Sequence, residues 1–135
     1  MIFEVVEPRK VPEIWRYVYA YIEDSQRRGP TDELNAAAMR NLCATDETWR
    51  LVCIHDGWAM YGAAVIRVLD DGLFVSAIGG KFPKRWEHEF FGWLSSIAGF
   101  MGLKAIRLGG RKGWRRLLAP LGFLPAGGPY LECRL

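Results

Sequence analysis

Gly109-Gly110-Arg111-Lys112-Gly113-Trp114-Arg115-Arg116-Leu117-Leu118-Ala119-Pro120-Leu121-Gly122-Phe123 is the stretch on which the fold turns. The β-forming run Ala105-Ile106-Arg107-Leu108 leads into it and reads as a strand. The glycines and cations at its start make a basic turn. A short amphipathic helix follows, and Gly122-Phe123 ends it. Tyr130 to Leu135 reads as a terminal strand, reached through a Gly- and Pro-rich loop at 125–129. A basic turn at a helix N-terminus suits an anion, because unpaired N–H groups and the positive end of the helix dipole meet there. Arg111, Lys112, Trp114 and Arg115 are therefore candidate anion-binding residues. The alternative is that Trp114 packs under the sheet and the cations point to water.

Upstream, Trp86, Phe90, Trp93, Leu94, Ile97 and Met101 recur at helical spacing, so a helix is expected from about Trp86 to Met101, stopped by Gly102. A basic connection, Lys81 to Arg85, precedes it. Three strands come before that: Thr48 to Ile54, Ala59 to Leu69, and Leu73 to Ile78 ended by Gly79-Gly80. Asp56-Gly57 and Asp71-Gly72 mark the hairpin turns between them. Near the start, Phe3 to Glu7 reads as a strand. Ile14, Trp15, Val18, Tyr19 and Ile22 make the apolar stripe of a helix of about 12–14 residues. A second helix is expected with Thr31 or Asp32 as its cap and Leu34, Ala38 and Leu42 on one face. The element order is β-α-α-β-β-β-α-β-α-β, with hairpins in front and two crossover units behind.

The chain has 135 residues, enough for one domain with a core. No apolar run approaches the roughly 18–20 residues of a membrane span. Met1 to Val6 has no basic segment followed by an apolar one, so no secretory signal is expected. Cys43, Cys53 and Cys133 are too few and too widely spaced for a disulfide framework or a metal site, and read as buried thiols of a cytoplasmic protein. Residues 1–80 carry 8 Lys/Arg against 12 Asp/Glu, and residues 81–135 carry 10 against 3. The basic half is expected to face an anion: a nucleotide-like cofactor, nucleic acid or an acidic protein. Nucleic acid ranks last, since no recognition-helix or RNA-binding signature is present. The surplus of Trp, Tyr and Phe leaves room for a homo-oligomer.

The closing segment and the element order resemble the GCN5-related N-acetyltransferase (GNAT) superfamily, over essentially the whole chain. The resemblance implies a single domain, 1–135, of α/β (α+β) class. It would have a mixed, mainly antiparallel sheet of about six strands flanked by about four helices. It also implies acetyl-CoA as cofactor and a primary amine as acceptor, the amine attacking the thioester directly. The cofactor would lie where two central strands splay, against Ala77, Ile78, Gly79 and Gly80, with Lys81, Lys84 and Arg85 beside its phosphates. GNAT enzymes cradle the pyrophosphate on a glycine-rich loop. The matching segment here, Phe82-Pro83-Lys84-Arg85-Trp86-Glu87, has no glycine. Many members use a tyrosine on the last helix as general acid, and Leu118 stands at that position. Tyr130 and Tyr61 are substitutes to consider. His88 is the candidate base, ahead of His55, Glu87 and Glu89. Gly-Arg-x-Gly-Trp-x-Arg-x-Leu followed by Gly-Phe resembles small GNAT-like proteins of bacteriophages, which implies a virion, assembly or host-protein-binding role as the alternative to catalysis.

Overall fold

The computed structural model describes residues 1–28, 34–109 and 113–135. Strand β1 (Ile2–Val5) is followed by helices α1 (Val11–Arg28) and α2 (Ala36–Thr45). Strands β2 (Trp49–His55), β3 (Met60–Val68) and β4 (Gly72–Gly80) come next, then α3 (Glu87–Phe100) and β5 (Ala105–Gly109). Helix α4 (Trp114–Leu118) leads to β6 (Phe123–Pro125) and β7 (Tyr130–Arg134). The strands form one sheet in the order β1-β2-β3-β4-β5-β7-β6. Neighbours are antiparallel except β4 and β5, which are parallel because α3 carries the chain back to the same end of the sheet.

Among the described residues the sheet has seven strands rather than about six. The addition is β6, three residues held by pairing Phe123 with Cys133 and Pro125 with Leu131. So short a strand, ending in proline, has no alternation to read. The glycines Gly79 and Gly80 do not stop β4 but are its last residues. Helix α1 runs 18 residues, beyond its apolar stripe, because Asp24 pairs with Arg28 at 3.2 Å one turn on and Ser25 continues the buried face. The expected caps of α2, Thr31 and Asp32, lie outside the described residues. The cap is Asn35, whose side chain accepts from the Ala38 N–H at 2.8 Å. The face that α2 buries is Ala36, Met39 and Cys43, one position round from the expected Leu34, Ala38 and Leu42. Helix α3 buries Phe91 as well as Phe90 and Leu94, whereas Met101 is exposed.

Each face of the sheet carries a core. On one, α1 and α2 set Val11, Trp15, Val18, Ile22 and Met39 against Leu51, Ala63 and Val65. On the other, α3 and α4 cover Ile54, Ile66, Leu73, Ile106 and Leu131. There the Phe91 ring meets the edges of Trp114 at 5.9 Å and Phe123 at 5.3 Å. Each such side chain contributes about 1.5–3 kcal/mol by leaving water. The three thiols are buried. Desolvation pushes Cys43 up to about 12 and Cys53 up to about 11, so both stay protonated and unreactive at neutral pH. Among the described residues no helix is long and apolar enough to cross a membrane.

Candidate functional site

Strands β4 and β5 pair only from Gly72 opposite Ala105 to Val75 opposite Leu108. Beyond Val75, β4 continues to Gly80 alongside β3, while β5 stops at Gly109. The reason is local. Val65 faces Ala77 and Ile66 faces Val75, which leaves Ser76 as an extra residue in β4. A bulge of this kind bends the strand and sharpens its twist, and β4 leaves its parallel neighbour there. The result is a splay at the C-terminal ends of two parallel strands.

The chain's own atoms pack closely on the end of β4 at this splay. The Lys81 N–H donates to the Tyr61 carbonyl at 2.6 Å, so residues of opposite parity turn their N–H groups toward the splay. One of these, Ile78, donates to the hydroxyl oxygen of Ser25 at 3.0 Å, and both residues are buried. Gly79 lies under α1: a Cβ there would sit 2.5 Å from the Tyr21 carbonyl oxygen. Gly80 lies under a tryptophan: a Cβ there would be 2.9 Å from Cζ2 of Trp86. Trp86 is fully buried, and its indole N–H donates to the Lys81 carbonyl at 2.9 Å.

The connection from β4 to α3 is short and internally bonded. Phe82 takes the left-handed conformation, φ 49°, at a cost of about 1–3 kcal/mol for a side-chain-bearing residue. Pro83–Arg85 is a 3-10 turn. The Arg85 N–H donates to the Phe82 carbonyl at 2.9 Å and the Trp86 N–H to that of Pro83 at 3.0 Å. Pro83 has no N–H to offer. The first turn of α3 carries Glu87, which is buried, and Glu89. Lys81, Lys84 and Arg85 are exposed around it, with the Arg85 guanidinium 4.9 Å above the Phe82 ring.

The other sequence candidates are not brought to one point. His88 is exposed on α3, the helix of one face. Tyr130 packs edge-on against Phe74 at 5.9 Å, and Phe74 alternates with the core residues Leu73 and Val75, which puts both rings on the opposite face. Tyr61 is half-buried beside Phe82. His55 ends β2, where its Nδ1 accepts from the Gly57 N–H at 3.0 Å, so Nε2 carries the proton given to Glu4 at 2.8 Å. Leu118 is fully buried in the core. Trp114 is buried in the same core, while Arg115 and Arg116 are exposed. Arg111 and Lys112 lie outside the described residues.

Near Phe74 and Tyr130, Arg107 on β5 ties together the strands on either side. It donates to Asp71 at 2.9 and 3.0 Å and to Glu132 at 2.6 Å, and Arg134 reaches Glu132 at 2.7 Å. The hydrogen bonds from Arg107 lower the pKa of both carboxyls. Their folded values lie below the unfolded ones, so this stability is present above about pH 4 and is lost as pH falls through the folded values. An Arg107→Met variant should melt several degrees below the parent at neutral pH. The gap should close on acidification, as melting curves from about pH 6 to about pH 2.5 would show.

No protein-family profile and no curated protein matches the sequence. Solved structures match it from end to end. An aminoglycoside 6'-acetyltransferase type Ii aligns with TM-score 0.72 and 11% identity, over 99% of this chain and 97% of that one. A GNAT-family acetyltransferase from Listeria monocytogenes gives 0.70 and 13%, over 99% and 94%. The PaiA N-acetyltransferase of Thermoplasma acidophilum, solved with coenzyme A, gives 0.63 and 10% with both chains covered in full.

The chain has the GNAT fold. In that fold the resemblance places coenzyme A at the splay, with its pyrophosphate on backbone N–H groups where α3 begins. The residues here do not fit such a cradle. The N–H groups of Arg85 and Trp86 are already bonded within the turn, Pro83 lacks one, and the first turn of α3 carries the acidic residues Glu87 and Glu89, which disfavour an anion there. The Ile78 N–H, aimed at the splay, is occupied by Ser25. Sequence reasoning missed Ser25, because a serine within the polar run Glu23 to Arg28 gives no sign that it continues the buried face. It also read Trp86 as one residue of a helical stripe, whereas Trp86 sits at the N-cap of α3 and closes the end of β4.

Proposed function

We propose that this chain is a GNAT-fold binding protein that does not use coenzyme A in the manner of GNAT enzymes. One observation carries the reading: in the connection from β4 to α3 the Arg85 and Trp86 N–H groups are bonded within the turn, Pro83 has none, and Glu87 and Glu89 follow. The closing Gly-Arg-x-Gly-Trp-x-Arg-x-Leu pattern, with its likeness to bacteriophage GNAT-like proteins, supports a virion, assembly or host-protein-binding role in a host cytoplasm or a particle. Calorimetric titration with coenzyme A and acetyl-CoA should give no saturable heat up to about 1 mM ligand. A Kd below about 100 µM would overturn the proposal.

A second reading has one observation in its favour. The splay and the Ser76 bulge are present, and Lys81, Lys84 and Arg85 stand exposed at its end, where their side chains could neutralise phosphates without a backbone cradle. On this reading the chain is an acetyltransferase for a primary amine. The same titration separates the two, since side-chain binding of this kind would vanish in a Lys81→Ala/Lys84→Ala/Arg85→Ala variant.

A further inference from the structure

At one edge of the sheet, three strands from β4, β1, the start of α1 and the β2–β3 hairpin enclose a groove of about 450 Å3. Its apolar lining comes from Val6, Ile14, Cys53 and Met60. Its acidic lining is Glu4, Glu7 and Glu13; Lys10 also lines it, Glu7 pairs with Arg9 at 2.9 Å, and Glu4 accepts from His55 at 2.8 Å. Trp58, at the tip of the hairpin, borders the groove and is 98% exposed.

The groove runs beside an open strand edge. β1 ends the sheet, and among the described residues no strand lies on its outer side. The Val6 N–H donates inward to the Leu51 carbonyl, so by alternation Phe3 and Val5 turn their N–H and C=O groups outward. Ile2 and Val5 are each 47% exposed. Lysine, proline or a bulge usually blunts an edge like this, and Ile2-Phe3-Glu4-Val5 has none of them.

We propose that this edge and groove dock an extended polypeptide segment carrying lysine or arginine, which pairs with β1 as a further strand. Charge decides the occupant. Three carboxylates outnumber Lys10 and the Arg9 that pairs with Glu7, so the groove stays net acidic, within a half of the chain that is itself net acidic, and favours a basic segment over an acidic one. Alternation in the added strand would send every second side chain into the groove, where the aliphatic stem of a lysine or arginine covers Val6, Ile14 and Met60. Its head group then reaches the carboxylates or the face of Trp58. The groove is separate from the splay, so the inference stands whichever way the coenzyme titration falls.

The test is a titration of the full chain, at low salt, with a ten-residue peptide alternating lysine and threonine. One peptide should bind per chain. Affinity should fall at least about tenfold in Glu4→Gln/Glu7→Gln/Glu13→Gln and about threefold or more in Trp58→Ala. All four side chains are exposed, so these variants keep the fold, which circular dichroism checks. A glutamate–threonine peptide should not bind. A lysine–threonine peptide N-methylated at alternate residues should lose at least about tenfold, because strand addition needs its amides. The proposal is overturned if the lysine peptide does not bind or if the triple variant binds it equally. It is overturned too if spermidine displaces the peptide at the same concentration, which would make this a simple cation site. Sedimentation showing self-association that the triple variant abolishes would also overturn it, since the groove would then hold a second copy of the chain.

Discussion

Gly80→Ala should destabilise this protein by about 3 kcal/mol or more, at the top of the range for overpacking a core. The added Cβ would collide with the Tyr61 carbonyl oxygen and sit 2.7 Å from the Gly62 Cα. Both are backbone atoms of β3, and the Tyr61 carbonyl already accepts from the Lys81 N–H. No rotamer change can relieve the contact, so β3 and β4 must separate at the end away from the turn that joins them. A loss of that size is a large part of the roughly 5–15 kcal/mol that holds a domain folded. Gly92→Ala is the control: nothing lies within 4 Å of a Cβ there, and in mid-helix alanine should add about 0.5–1 kcal/mol. Urea unfolding of the two variants measures the difference. A Gly80→Ala protein within about 1 kcal/mol of the parent would show that the β3–β4 approach is not as tight as described.

Trp86→Ala should cost about 3–5 kcal/mol, the range for emptying a buried aromatic site. The ring is fully buried, meets Phe90 edge-on with centroids 6.4 Å apart, and lies over Gly62 and Gly80, which have no side chains to move into the gap. The Lys81 carbonyl would also lose its donor. Trp86→Phe keeps most of the volume and removes the indole N–H with two ring carbons, so it should cost about 1–3 kcal/mol. If both substitutions cost the same, the hydrogen bond rather than the packing holds the end of β4. Thermal unfolding of the pair decides between them. Gly80 and Trp86 meet at the end of β4, where a GNAT enzyme of the usual kind would place its cofactor loop.

The element order could be read from the sequence because period-two and period-3.6 patterns survive in the long strands and helices. Val65 and Ile66 alternate with opposite cores in β3, and Trp15, Val18 and Ile22 recur on one side of α1. β6 could not be read, since three residues ending in proline acquire their conformation only by pairing with β7. Gly79-Gly80 reads as punctuation in one dimension. In three dimensions the pair is where α1 crosses one face and Trp86 covers the other, so that neither residue has room for a side chain.

The candidate site divides in the same way. The missing glycines of Phe82–Glu87, the leucine at position 118 and the acid–base asymmetry of the two halves are composition and spacing, and they stand in the sequence. Residue order alone therefore determined a GNAT-like order of elements and a connection from β4 to α3 without glycine in Phe82–Glu87. That the Ser25 hydroxyl takes the Ile78 N–H depends on which face of α1 crosses β4. That Trp114 goes to the core while Arg115 turns to solvent depends on how α4 meets α3. The groove depends on Glu4, Glu13 and Trp58, far apart along the chain, meeting at one sheet edge. Contacts between distant segments are set by how whole faces pack, and only the tertiary structure could decide them.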